Sequence, residues 1–110
     1  MMTIVRTTLI VASLALLPAL AHGADSAAGQ AKAKEICQAC HGLDGNSPTP
    51  DYPKLAGQYP DYLAKALRDY KSGARKNPIM AGMAGALTAN DIDNLAAYYS
   101  SQPAVLSRKY

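Results

Sequence analysis

The sequence predicts an all-α fold of three to five helices, and three observations lead to this class. Apolar residues recur at the spacing i, i+3, i+4, i+7 in two segments, which begin at Pro60 and Thr88. A third segment, residues 26–40, is rich in alanine and lysine, which favour helix. No segment alternates apolar and polar residues in the way that is typical of a half-buried strand.

The first predicted helix covers residues 26–40 (SAAGQAKAKEICQAC), with Asp25 or Ser26 as its N-cap. The following residues, 42–59 (GLDGNSPTPDYPKLAGQY), concentrate Gly, Pro, Asn and Asp. Because these residue types favour turns and interrupt helices, we predict a loop here.

The second helix is expected to open at Pro60, in the favoured first-turn position, and to end at Gly73. Residues 75–87 (RKNPIMAGMAGAL) are predicted to be irregular. The last helix starts at Thr88, where a T-x-x-D pattern indicates a capping box, and Pro103 stops it. The predicted buried stripes of these two helices are Leu63, Ala66, Leu67 and Tyr70, and Ile92, Leu95, Ala96 and Tyr99.

Residues 1–23 are predicted to be a cleaved secretory signal peptide. They combine a basic start, an apolar run over residues 9–20 and small residues at the exit. We expect cleavage between Ala21 and Ala24, which leaves residues 24–110 as one domain. The alternative is an uncleaved membrane anchor, but the apolar run is well short of the roughly 20 residues that span a bilayer.

The composition indicates a small domain that needs something to fill its centre. The chain contains no Trp and no Phe, and alanine supplies much of its apolar content. A domain of this size buries only a modest share of its surface, so an alanine-rich core is marginal without a bulky apolar group. The formal net charge is +3, and no basic stripe indicates a nucleic-acid partner.

The central motif is CQACH, residues 37–41. The C-x-x-C-H pattern is typical of covalent c-type haem attachment, because two cysteines one helical turn apart can reach neighbouring vinyl groups. The histidine that follows can then ligate the iron. A disulfide between Cys37 and Cys40 would close a very small loop and stabilise little. A thioredoxin-like redox pair would need a βαβ context, and a structural zinc site would need four ligands, with at best His22 added to Cys37, Cys40 and His41.

The sixth position of the haem iron needs a ligand or stays open. Methionine paired with histidine is the ligand set of cytochromes c. Outside the predicted signal peptide the methionines are Met80 and Met83, both in the predicted irregular segment. The alternative for each is a gap-filling core methionine.

The chain resembles a class I cytochrome c, and specifically one half of the di-haem cytochromes c4. The matching strings are CQACHGLDGNSP, YPKLAGQYPDYLAKAL and LTANDIDNLAAYYSSQ, which together cover nearly all of residues 24–110. The resemblance implies a small cytochrome c-type fold wrapped around one covalently bound haem c. The departure is that cytochromes c4 carry two CxxCH motifs, whereas this chain carries one.

The resemblance also implies roles for single residues. Cys37 and Cys40 would bind haem covalently, and His41 would be the proximal iron ligand. In the family the ligating methionine stands eight residues before the N-cap of the last helix, which selects Met80 and leaves Met83 as the alternative sixth ligand.

Further matches concern the surroundings of the haem. Pro53 matches the proline whose carbonyl accepts the proximal imidazole N–H, and the alternative is an ordinary loop proline. Gly29 matches the first-helix glycine that allows a close helix crossing, here expected against Leu95 and Tyr98. Gln58 and Tyr62 are candidates for hydrogen bonds to haem propionates or, equally, ordinary surface or core residues.

These patterns predict a periplasmic carrier that moves one electron between redox proteins and is not an enzyme. Its partners would be a donor dehydrogenase or cytochrome complex and an acceptor oxidase or reductase, bound transiently, with no nucleic acid and with membranes only through those partners. The alternative is the haem subunit of a flavocytochrome c-type sulfide dehydrogenase. A third class, a haem sensor or peroxidase with an open sixth position, would not use methionine as a ligand.

Overall fold

The structure is a computed structural model that describes residues 10–13, 15 and 23–105. Within these residues the chain forms five helices and no strand, as the predicted all-α class requires. The helices are α1 (Ser26–Ile36), α2 (Gln38–His41), α3 (Pro60–Ser72), α4 (Pro78–Gly85) and α5 (Ala89–Ser100).

Helices α1 and α5, near the two ends of the described domain, pack closely against each other. The Asp25 side chain caps α1 by accepting from the N–H groups of its first turn. The Asp25 N–H in turn donates to Asn94 Oδ1 on α5, at 2.8 Å. Gly29 is buried at the crossing, where the atoms nearest to its Cβ position belong to Asn94 and to Tyr98, one of the two expected partners.

The first predicted helix is divided at Cys37 instead of running unbroken over residues 26–40. The interruption is slight, because the Cys37 N–H still donates to the Ala33 carbonyl at 3.0 Å. The short helix α2 then carries the chain to His41 and ends at Gly42, whose φ of 79° is favourable for glycine. The CQACH motif therefore lies on helical turns, as its spacing predicts.

The prediction of irregular chain over residues 75–87 is wrong for residues 78–85, which form α4. Asn77 caps this helix, and its side chain accepts from the N–H groups of Ile79 and Met80 at 3.0 and 3.1 Å. Pro78 occupies the first turn, where it needs no hydrogen-bond donor. The cap and the proline outweigh the low helix propensity of Gly82 and Gly85.

Helix α5 forms the centre of the core. The predicted capping box is present, because Thr88 accepts from the Asp91 N–H and Asp91 accepts from the Thr88 N–H. The four residues of its predicted stripe are all buried. They pack with α1, α3 and the end of α4, and the core consists of Ala33, Leu63, Ala64, Ala84, Leu87, Ile92, Leu95, Ala96, Tyr98 and Tyr99.

The predicted signal peptide lies mostly outside the described residues, so its role stays a prediction. Within the parts of the chain that the structure covers, every helix is too short or too polar to cross a membrane.

Candidate haem-binding site

The end of α1, helices α2 to α5 and the loop over residues 42–59 surround a cavity of about 330 Å³. Most of its lining side chains are apolar, and they come from segments far apart in the chain. The lining includes every residue that the sequence analysis proposed for the haem site: Cys37, Cys40, His41, Pro53, Gln58, Tyr62, Met80 and Met83.

His41 is oriented by a backbone carbonyl. Its ring is buried, and Nδ1 lies 2.8 Å from the carbonyl oxygen of Pro53. Because a carbonyl can only accept, Nδ1 carries the proton and donates it to this bond. In the neutral imidazole, Nε2 then keeps its lone pair and can serve as a metal ligand. This is the contact that the resemblance implies for Pro53.

The loop that carries Pro53 is held in place by tight backbone contacts. The Gly45 carbonyl accepts from the N–H groups of Leu55 and Ala56, at 2.8 and 3.1 Å. Gly45 has a φ of +78°, and a Cβ there would lie 2.7 Å from the Tyr99 ring. Only glycine allows the loop to approach α5 this closely, and this approach sets the position of the Pro53 carbonyl.

Two tyrosines of α5 hold the backbone that follows the motif. The Tyr98 hydroxyl donates to the Leu43 carbonyl at 2.6 Å, and the Tyr99 hydroxyl donates to the Gly42 carbonyl at 3.2 Å. Burial raises the pKa of both tyrosines, so each hydroxyl keeps its proton. Sequence reasoning placed both side chains at buried positions of α5 but missed these hydrogen bonds, which join residues more than 50 positions apart.

Cys37 and Cys40 are both half-buried free thiols. Burial raises the pKa of the Cys37 thiol to about 11, against a weaker opposing effect of the Tyr99 hydroxyl. A thioredoxin-type nucleophile has a lowered pKa instead, so the environment of Cys37 argues against that alternative. The described residues also contain no group of three His, Cys, Asp or Glu side chains arranged to hold a metal ion, and His22, the fourth candidate zinc ligand, lies outside the described residues.

Both candidate methionines lie on the cavity side of α4. Met80 and Met83 stand three residues apart, so they share a face of the helix, and both line the cavity. Met80 is half-buried in the first turn, where its N–H is held by Asn77. Met83 is more open, with 42% of its surface exposed. Sequence reasoning missed Asn77, although an Asn-Pro pair at a helix start was the available signal.

This set of groups fits a covalently attached haem. The thiols of Cys37 and Cys40 lie one helical turn apart, and the oriented imidazole of His41 follows them. The side chains of Met80 and Met83 line the cavity from α4. The cavity between them is largely apolar, as the ring of a porphyrin requires.

Comparison with known proteins identifies the family. The family model for cytochrome c matches residues 26–102. The chain belongs to the cytochrome c family. Proteins of this family carry haem c covalently, and Cys37 and Cys40 stand in the matching CxxCH motif. Cytochromes c4 are electron-transfer proteins, and because this chain spans less than half of the length of those relatives, the same activity is a proposal here.

Three matches show which cytochromes c this domain is similar to. Cytochrome c4 of Pseudomonas aeruginosa is 53% identical over 87 residues, which cover 78% of this chain and 43% of the relative. Cytochrome c-554(548) of Halomonas halodenitrificans is 46% identical over 81 residues, which cover 71% of this chain and 96% of the relative. The crystal structure of reduced cytochrome c4 from Pseudomonas stutzeri aligns with a TM-score of 0.71 and 45% identity, over 76% of this chain and 48% of that one.

The domain thus spans less than half of these cytochromes c4 and nearly all of cytochrome c-554(548). The cytochrome subunit of sulfide dehydrogenase from Chlorobaculum tepidum is a more distant relative, 37% identical over 65 residues. A thiosulfate dehydrogenase electron acceptor from Thiomonas intermedia is 49% identical over 65 residues.

Proposed function

We propose that this chain is a periplasmic single-haem electron carrier that moves one electron between redox proteins. The observation that carries the proposal is the cavity in which the two motif thiols, the His41 imidazole and two methionines meet. When bound, the haem iron supplies one-electron redox chemistry. The protein holds the group, orients its ligands and limits the access of water.

In this proposal Cys37 and Cys40 form the two thioether bonds and His41 is the proximal ligand. The Pro53 carbonyl keeps the imidazole in one tautomer and one orientation, and its hydrogen bond increases the basicity of Nε2. Because the bond is made by the backbone, the orientation of His41 depends on the loop fold and not on a second side chain.

Met80 is the proposed sixth ligand. Its backbone is fixed by the Asn77 cap, whereas Met83 lies farther along α4 and is more exposed. His41 and Met80 would together hold the iron and would leave no coordination site for a substrate, which favours a carrier over a sensor or a peroxidase.

The partners would be a donor dehydrogenase or cytochrome complex and an acceptor oxidase or reductase, which dock through small, transient interfaces. The relatives that act as thiosulfate dehydrogenase electron acceptors support this role. The haem subunit of a sulfide dehydrogenase is the second candidate, and it is supported by a more distant relative. A stable, stoichiometric flavoprotein that co-purifies with the chain would favour the second candidate.

The test is to export the full chain together with haem-maturation machinery. We expect the chain to be cleaved between Ala21 and Ala24. The measured mass should then equal that of the remaining polypeptide plus one haem. We also expect the weak near-infrared absorption of a thioether–iron bond in the ferric protein. Met80→Ala should abolish this band and the matched variant Met83→Ala should keep it. A colourless mature protein would refute the proposal, whereas the reverse pattern in the two variants would reassign the ligand only.

A further inference from the structure

Asn46 joins the loop over residues 42–59 to the chain that follows α5. Its amide group makes two hydrogen bonds with one short segment, residues 103–105, which we call the strap. Nδ2 donates to the Pro103 carbonyl at 3.0 Å, and Oδ1 accepts from the Val105 N–H at 2.7 Å. The strap lies outside any helix, so the Asn46 side chain supplies backbone hydrogen bonds that no regular element provides there.

Further contacts tie the strap to the second half of the loop. The Lys54 ammonium donates to the Val105 carbonyl at 2.8 Å. Gly57 lies against the middle of the strap, because a Cβ there would be 3.2 Å from Ala104 Cβ. The strap therefore holds the loop at points before and after Pro53 in the sequence.

Ser47, which directly follows Asn46, connects the haem-attachment motif to the rest of the loop. Its N–H donates to the His41 carbonyl at 2.8 Å, and its hydroxyl lies 2.7 Å from the carbonyl oxygens of Thr49 and Tyr52. Among the described residues other than glycine, Ser47 is the one with a positive φ, 51°. Such a conformation costs free energy and persists only where surrounding contacts hold it. The two bonds of Asn46 to the strap are contacts of this kind.

We propose that Asn46 is a positioning residue for His41. Through the strap and Ser47 it holds the loop so that the Pro53 carbonyl stays 2.8 Å from the imidazole Nδ1. The inference rests on the proposed function, in which His41 binds the haem iron. Because the bond to Pro53 orients the ring and increases its basicity, a loosened loop lowers that basicity. The chain after α5 is thereby linked to the redox centre, although none of residues 103–105 lines the cavity.

The first measurement is the midpoint potential of the holoprotein of the full chain. Asn46→Ala removes both bonds to the strap. The less firmly held imidazole is then a weaker electron donor, which disfavours the oxidised iron. The ratio of oxidised to reduced protein at a fixed potential should fall about threefold, less than the roughly tenfold effect of losing an outer partner of a metal ligand outright. A threefold change raises the midpoint by about 28 mV, at about 59 mV per tenfold change.

The second measurement concerns the hydrogen bond itself. In the reduced holoprotein, the NMR signal of the His41 Nδ1 proton should move upfield in Asn46→Ala, because a longer hydrogen bond leaves this proton more shielded. Val105→Pro removes the N–H donor from the strap side and should change the midpoint and the signal in the same directions. Adding Val105→Pro to Asn46→Ala should change little more, because the shared bond is already lost. If Asn46→Ala does not fold, Val105→Pro alone decides by the same two measurements.

Asn90→Ala is the matched control. Asn90 is exposed in the first turn of α5 and lies beside residues 23–25, so both measurements should stay at their wild-type values. If Asn46→Ala lowers the free energy of unfolding but leaves the midpoint and the proton signal as in Asn90→Ala, Asn46 has only a structural role and the proposal is wrong. Opposite changes in Val105→Pro would overturn it as well. A wild-type chain that matures without haem would instead refute the proposed function.

Discussion

Replacing Gly29 by alanine tests whether the crossing of α1 and α5 holds the domain together. An ideal Cβ at residue 29 would lie 2.0 Å from the Asn94 carbonyl oxygen, 2.6 Å from its carbonyl carbon and 2.9 Å from Tyr98 Cβ. Two of these three atoms belong to the backbone, so no change of rotamer can relieve the clash. Ordinary contact begins near 3.4 Å, so the two helices would have to separate by more than 1 Å.

The free energy of unfolding should fall substantially in the Gly29→Ala variant. Overpacking of a core typically costs about 1–3 kcal/mol, and a clash with backbone belongs at the upper end of that range. For a domain of this size, about 3 kcal/mol corresponds to a drop in melting temperature of roughly 12–24 °C. The intrinsic preference of a helix for alanine over glycine, at most about 1 kcal/mol, offsets only part of this cost.

The assay is denaturant unfolding followed by far-ultraviolet circular dichroism, with Gly82→Ala as the matched control. Gly82 also lies in a helix, but a Cβ there would meet no atom within 4 Å. The control should therefore be neutral or more stable by up to about 1 kcal/mol. A Gly29→Ala protein that unfolds within about 1 kcal/mol of the wild type would show that α1 and α5 do not cross as described.

Three further predictions concern helix caps and the support of the motif. Asn77→Ala should cost about 1 kcal/mol of unfolding free energy and weaken the thioether–iron absorption assigned to Met80. Asn77→Asp keeps the cap and should preserve both the stability and the absorption. Equal behaviour of the two variants would contradict this role of Asn77. The pKa of Asp91 is lowered, mainly by the Thr88 N–H that donates to its carboxylate. The ionised carboxylate therefore stabilises the folded protein at pH values above the ordinary pKa of 3.8. This stabilisation is lost as the pH falls through the lower pKa of the folded state. Acid unfolding of Asp91→Asn should lack this dependence, and an unchanged acid profile would show that the capping box contributes nothing. Tyr98→Phe should lower the unfolding free energy by about 1 kcal/mol in urea titrations, because the half-buried Leu43 carbonyl loses its donor. An unaltered midpoint would argue against that hydrogen bond.

The sequence predicted the elements whose signals are local. Pro60 and Thr88 were expected to open helices, and the structure begins α3 at Pro60 and caps α5 with Thr88. Both starts depend on residues within one helical turn, so no tertiary information was needed. The prediction failed for α4, where Gly82 and Gly85 suggested a loop and the cap by Asn77 decided the outcome.

The site divides in the same way. The CQACH motif is a contiguous string, so haem attachment could be predicted from it directly. The roles of Pro53 and Met80 are implied by the resemblance, and Met80 as an iron ligand stays a prediction. The bonds of Tyr98 and Tyr99 to the backbone after the motif had no signal in the sequence. They depend on α5 passing beside a turn more than 50 residues away.

The sequence by itself determined the helical class, the haem-attachment chemistry and the small set of residues able to ligate iron, because residue type and short-range spacing carry that information. Only the tertiary structure decided that His41 donates to the Pro53 carbonyl and that both methionines face one cavity. These relations depend on how α3, α4 and α5 pack around the loop over residues 42–59. Packing joins atoms that the chain separates, and no local pattern specifies their distances.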